Sequence, residues 1–217
     1  MGYAVALHTN TSLAHQVAYA RAWHRGLDRH GILSVLTDSP DTLADIHVIF
    51  GPWFALEKWR YAPSVLYIDR GYWGDPDYVS IHWLKQGEKV YGACTDYRAH
   101  PAVLPYRNSQ KRIYLCDYGQ EPEGDYHAVR RHPASDDAQR PLLDDLDGYG
   151  IALGRRTTAL IDASIAGLQV ITSDRHSPVW PISGRCGGRE QLLTRLAWHN
   201  WSLTEIERGD AWEHLKR

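Results

Sequence analysis

Apolar residues along this chain come in short unbroken runs and at helical spacing, and the two patterns alternate. Residues 3–7, 32–36, 46–50 and 64–68 are runs of the length of a strand buried on both faces. After the first run, Ala14, Val17, Ala18, Ala22 and Leu27 recur near helical spacing, in a helix beginning near Leu13 and ending at Gly26 or Gly31. After the third, Trp53, Leu56 and Trp59 predict another helix. Strands alternating with helices imply a parallel, doubly wound sheet. Ligands of such sheets gather beyond the carboxyl ends of the strands. The segments of interest are therefore His8 to Ser12, Asp38, Gly51, and Asp69-Arg70-Gly71-Tyr72-Trp73.

The pattern then changes. Residues 78–84 alternate polar and apolar, as in an edge strand or hairpin. Between 85 and 110 the periodicity weakens, punctuated by Gly87, Gly92, Pro101, Pro105 and Asn108. An inter-domain connection is expected there, dividing the chain into 1–105 and 106–217. Residues 111–116 open a second unit of the same type, closing on Asp117-Tyr118-Gly119-Gln120. It continues through a strand end carrying Arg130-Arg131-His132-Pro133, a helix, and a short strand at 150–153. The turn Gly154-Arg155-Arg156-Thr157-Thr158, a second helix and a central strand at 168–172, ending in Ser173-Asp174, complete it. In the helical tail, Leu192, Leu193, Leu196, Ala197 and Trp201 share a face, and Thr204 with Glu207 reads as a capping box. Trp198, Trp201 and Trp212 are expected to pack across both units.

Composition adds little to this picture. At 217 residues, 43% hydrophobic and 23% charged, the chain has an ordinary globular make-up. A formal charge of -2 gives no global attraction to nucleic acid. Cys94, Cys116 and Cys186 lie far apart, which argues against a zinc site or disulfide framework and for reduced thiols in a cytoplasm. The N-terminal residues do not read as a signal peptide, and no stretch approaches the ~20 apolar residues of a membrane span. Nine Trp and 13 Tyr against two Phe favour a core whose aromatic residues keep their polar ends at the surface.

The candidate chemistry centres on the 154–158 turn. A hydroxyl at a helix N-terminus accepts from free backbone N–H groups, and those N–H groups with Arg155 and Arg156 beside them suit a phosphate. Arg131 and His132 sit at a strand end facing the same side. Asp69 ends the fourth strand and His8 the first, so each is a candidate general base. Asn10, Arg70, Tyr72 and Trp73 accompany them as acceptor contacts. Asp136-Asp137 and Asp144-Asp145 read as solvated helix faces rather than a metal site, because neighbours on a helix point apart.

Two Rossmann-like units in tandem, with Arg130-Arg131-His132-Pro133, the 154–158 turn and Asp162-Ala163-Ser164-Ile165-Ala166-Gly167 leading into a buried strand, resemble the GT-B glycosyltransferases. The second unit is the closer match, and the tail is similar to small phage-encoded proteins. The resemblance implies a compact GT-B-like α/β fold with a C-terminal helix across both units. It implies a nucleotide-diphospho-sugar such as UDP-glucose as donor, no tightly bound cofactor and no metal. Thr157 and Thr158 would hold the diphosphate and Asp162, where the family usually has Glu, the ribose. Some phage members glycosylate hydroxymethylated pyrimidines, which makes DNA a candidate acceptor. The rival readings are a nucleotide-sugar 2-epimerase and a non-catalytic scaffold that binds nucleic acid or a partner.

Overall fold

The computed structural model describes residues 4–51, 57–73, 77–92, 96–133 and 141–216. The chain is mixed α/β with parallel sheets, in two compact units: residues 1–92 with 198–217, and residues 93–197. The division expected near 105 falls at 92, and the tail expected in the second unit belongs to the first.

In the first unit three of the four apolar runs are strands covered on both faces; the run at 32–36 instead forms an edge strand whose Val35 and Leu36 are exposed. β1 (Val5–His8) is buried along its whole length, which is why it lacks alternation. Helix α1 (Ala14–Asp28) follows and turns Gln16, Ala20, Trp23 and Leu27 inward. β2 (Ser34–Thr37) and β3 (Ile46–Phe50) flank β1 in parallel. A 3-10 turn at Glu57–Arg60 precedes β4 (Val65–Arg70), which runs parallel to β3. Of the helix expected around Trp53, Leu56 and Trp59, residues 52–56 lie outside the described residues. The parallel order is β2-β1-β3-β4. Trp23 of α1 packs with Leu7, Val48 and Ile68, whereas Trp59 packs with Ile49, Val65 and Tyr67. Alternation along a strand sends these two sets to opposite faces, so the connections after β1 and β3 diverge. The topological switch point lies between those strands.

β5 (Tyr78–Lys85) forms the expected hairpin with β6 (Glu88–Lys89). It also pairs antiparallel with β4 and so lies inside the sheet.

The second unit contains β7 (Arg112–Leu115), β8 (Ala128–Arg130), helix α2 (Leu142–Asp145), β9 (Ile151–Gly154), helix α3 (Ala159–Ile165), β10 (Gln169–Thr172) and helix α4 (Arg189–Ala197). All four strands are parallel, in the order β8-β7-β9-β10. Counted within each unit, both sheets therefore run second-first-third-fourth. β10, expected at the centre, is an edge strand among the described residues, because the chain leaves it for a 3-10 turn at Trp180–Ile182 and adds no further strand. Arg130 pairs with Asp145, fastening the end of β8 to α2. Asp136 and Asp137 lie outside the described residues.

The tail is helical except at β11 (Asn200–Ser202), which pairs antiparallel with β5. Helices α5 (Leu203–Arg208) and α6 (Asp210–Leu215) follow. The capping box at the start of α5 is Ser202 with Glu205, two residues before the expected pair. Ser202 is the last extended residue, so its hydroxyl reaches the free N–H of Glu205 at 3.3 Å. Trp201 and Trp212 join the first unit's core beside Trp23, and Trp198 packs against it.

Candidate functional site

The carboxyl ends of all four strands of the second sheet carry charge. β7 leads into Asp117, β8 into Arg131 and His132, β9 into Arg155 and Arg156, and β10 into Asp174. Parallel register brings these ends to one edge. The switch point lies between β7 and β9, where Asp117 Oδ2 accepts the backbone N–H of Arg156 at 3.0 Å. Arg156 Nε donates to Asp174 Oδ2 at 2.6 Å, and Arg155 lies 4.0 Å from the same oxygen. The Arg155 carbonyl accepts from the Thr172 hydroxyl at 2.8 Å, which ties the turn to β10. Arg131 makes a two-point contact with Glu121 at 3.2 and 3.3 Å, and Tyr118 meets the edge of His132.

The electrostatics follow from these contacts. Burial pushes the Asp117 carboxyl up, against the opposing pull of the Arg156 N–H, Arg155 and His132. Burial also raises Asp174, but the Arg156 guanidinium and the His176 N–H outweigh it and hold the carboxyl below its usual range. Arg155 and Arg156 are each 48% exposed and Asp174 only 9%, so the guanidinium groups face solvent over a buried carboxylate. Such an arrangement exchanges one anionic partner for another at low reorganisation, because the buried carboxylate orients the fork.

Of the residues expected to hold a phosphate, Thr157 accepts the N–H of Ala159 at 3.3 Å at the start of α3, which leaves its O–H free to donate. Thr158 makes no side-chain cap. α3 has seven residues, so its dipole is short, and the arginines carry most of the positive field. Asp162 sits one turn into α3, half-buried. Asp117 and Asp174 were not singled out as site residues, although each is an acidic residue directly after an apolar strand.

The first unit separates the candidates drawn from its loops. A cavity of about 330 Å³ lies at the carboxyl ends of β3 and β4, under the first turns of α1. Asp69 and Arg70 line it. Asp69 Oδ2 accepts from Lys89 Nζ at 2.9 Å and Oδ1 from the Arg70 N–H at 2.8 Å. Burial raises this carboxyl, but Lys89, the Arg70 N–H and the Tyr67 hydroxyl together outweigh it and hold it below its usual range.

His8, Asn10, Tyr72 and Trp73 are not among the cavity's lining residues. His8 is 0% exposed. Its Nδ1–H donates to the Ser39 carbonyl at 3.1 Å, which leaves Nε2 to accept from His47 Nδ1 at 2.9 Å. Burial and the neighbouring His47 push its pKa down to about 4. Even-numbered β1 residues turn away from the α1 face, so His8 stacks on His47 and Trp59 instead of meeting a ligand. Tyr72 is buried and donates its hydroxyl proton to His82 Nε2 at 2.7 Å. The Trp73 carbonyl accepts from Asn200 Nδ2 at 3.2 Å. Asn10 closes its own loop, accepting the Ser12 N–H at 3.0 Å, and gives its backbone N–H to Gln16 Oε1 at 3.1 Å.

Gln16, Tyr19 and Tyr78 line the cavity in their place. Gln16 left a trace in the sequence: it is the polar residue on a stripe otherwise made of Ala20, Trp23 and Leu27.

Among the described residues no group of three or more His, Cys, Asp and Glu is placed to hold a metal ion. No helix among them is long and apolar enough to cross a membrane. Comparison with protein-family models, with characterised proteins and with solved structures gave no match.

Proposed function

We propose that the chain is a glycosyltransferase of GT-B type that takes its sugar from a nucleotide-diphospho-sugar. One observation carries the reading. Two successive units repeat the same parallel strand order, and the switch point of the second is lined by Arg155, Arg156, Arg131 and His132. Switch points are where sheets of this kind bind nucleotides, and a diphosphate leaving group needs fixed positive charge. The donor diphosphate would take the guanidinium groups of Arg155 and Arg156, displacing the latter from Asp174. Arg131 and His132 would flank it, with Thr157 and Thr158 close by and Asp162 toward the ribose.

In the transfer, an acceptor hydroxyl attacks C1 of the sugar, its proton goes to a base, and the nucleoside diphosphate leaves. Asp69 is the better of the two candidate bases, since it reaches a cavity and Lys89 keeps it ionised at neutral pH. A base held this low is a modest one. A hydroxymethylated pyrimidine in phage DNA is one acceptor to test.

The test is a melting-temperature screen against nucleotides, nucleotide-sugars and DNA, because a ligand at ~100 times its Kd adds about 2.7 kcal/mol. A shift with a nucleotide-sugar, followed by sugar transfer that Asp69→Asn abolishes while the shift survives, is the expected outcome. The engagement of both candidate bases favours a second reading, a nucleic-acid-binding scaffold without activity. A shift with DNA and none with any nucleotide-sugar would favour that scaffold.

A further inference from the structure

Thr9 follows β1 in the first unit and is 1% exposed, and its hydroxyl has no hydrogen-bond partner among the described residues. Its N–H donates to the Thr37 carbonyl at 3.0 Å, so the parallel ladder with β2 continues one residue past His8. Strand alternation therefore extends to Thr9. Val5 and Leu7 turn toward α1 and pack with Trp23 and Leu27, and Thr9 turns the same way. On that side lies the start of α1. Gln16 of its first turn is buried, and Gln16 Oε1 accepts the Asn10 N–H at 3.1 Å, which draws the turn back over the end of β1.

The start of α1 also lacks an acceptor. The helix has 15 residues, its N-cap is Leu13, which makes no side-chain cap, and its first turn holds no acidic residue. The N–H groups of a first turn have no partner within their own helix. The polar side chains of the loop face one another instead: Asn10 Oδ1 accepts from the Ser12 hydroxyl at 2.6 Å and from the Ser12 N–H at 3.0 Å. A buried hydroxyl thus lies beneath a helix start that attracts negative charge. A tetrahedral oxyanion suits both, because its oxygens point in several directions, one toward the hydroxyl and others toward the N–H groups. Thr11, Ser12, Ala14 and His15 are exposed, which leaves an approach from solvent. Asp38, which follows Thr37, is exposed and so screened by water and salt.

We infer that the start of α1 and the loop before it bind a phosphate group, with the first N–H groups of α1 and the Thr9 hydroxyl as its donors. The group arrives as inorganic phosphate or as a phosphate monoester whose organic part enters the adjoining cavity, which His15 and Gln16 of the same turn line. The site lies in the first unit and does not depend on the donor reading of the second.

Binding is measured by calorimetry at low ionic strength, on the full chain carrying Arg155→Ala and Arg156→Ala, which removes the exposed guanidinium groups of the second unit. The probes are inorganic phosphate and phenyl phosphate, the latter because Tyr19, Phe50 and Tyr78 line the cavity. Thr9→Val keeps the shape, removes the hydroxyl and should weaken phosphate about ten-fold. Thr9→Ser keeps the donor and should bind as the background does. Without ligand the hydroxyl is unpartnered, so Thr9→Val should leave the melting temperature in phosphate-free buffer no lower. Ala14→Pro removes one N–H where a helix tolerates proline, since Leu13 before it is already extended at φ −106° and ψ 101°. It should weaken phosphate as well. Tighter phenyl phosphate that still depends on Thr9 assigns the group to a monoester, and the reverse order to free phosphate. Failure of both probes to bind, unchanged affinity in Thr9→Val or in Ala14→Pro, or equal loss in Thr9→Val and Thr9→Ser overturns the inference. A lower melting temperature for Thr9→Val in phosphate-free buffer would give the hydroxyl a partner within the fold and overturn it equally.

Discussion

Protonating His8 would set two N–H groups against each other, because its Nε2 already accepts from His47 Nδ1. Burial, His47 and Lys58 oppose a charge there, and the Ser39 carbonyl favours one. The folded protein therefore refuses a proton that the unfolded chain binds below the usual 6.5. Stability should fall as pH drops from 6.5 and level off for this group near 4. The full contribution is about 3 kcal/mol. His82, buried and accepting from Tyr72, is pushed down as well and adds in the same direction. Melting temperature followed from pH 7 to 4.5 should fall steadily, and His8→Gln should make the slope shallower. A flat curve over that window would reject this account of the pair. Asp69 depends on its neighbour in the opposite sense. Lys89→Met should raise its pKa and move the acid limb of any transfer activity to higher pH.

Among the elements, helix α1 has a close neighbour at Gly26. A Cβ on Gly26 would lie 2.2 Å from the Ile206 carbonyl of α5. Gly→Ala in a helix interior ordinarily gains about 1 kcal/mol. Here overpacking should reverse the sign and cost about 1–3 kcal/mol or more, read as a lower denaturation midpoint at unchanged slope. A stabilised Gly26→Ala protein would mean that the α1–α5 approach is looser than described.

Elements were also where the sequence was most readable. The apolar runs at 46–50 and 111–116 located β3 and β7 within two residues, because strands buried on both faces leave an unbroken signal. β11 was hidden inside a helical reading, since its three residues are too few to show a period and Trp201 suits either pattern. β10 is as apolar as a central strand, and only its pairing reveals an edge. The arginine-bearing strand ends were legible because a parallel sheet sends its carboxyl ends to one side. Which way His8 and Tyr72 point was not, since that depends on which face each neighbouring connection covers.

At the scale of the molecule, one chain holds two units whose four parallel strands share one order, with different chemistry at their carboxyl edges. The first offers a small cavity with the aromatic walls Tyr19, Phe50 and Tyr78 and an Asp69 carboxylate paired with Lys89. The second offers exposed guanidinium groups beside the partly covered carboxylates of Asp117 and Asp174. Calorimetric titration of UDP-glucose and UDP into the wild-type chain and into the Arg155→Ala/Arg156→Ala variant tests the central claim most directly. Charge-assisted bonds contribute about 1.5–3 kcal/mol each, so losing two should weaken binding about 100-fold or more, with Gln16→Glu binding the donor as wild type does. The same affinity in the double variant, or no binding of any nucleoside diphosphate to the wild-type chain, would contradict the assignment.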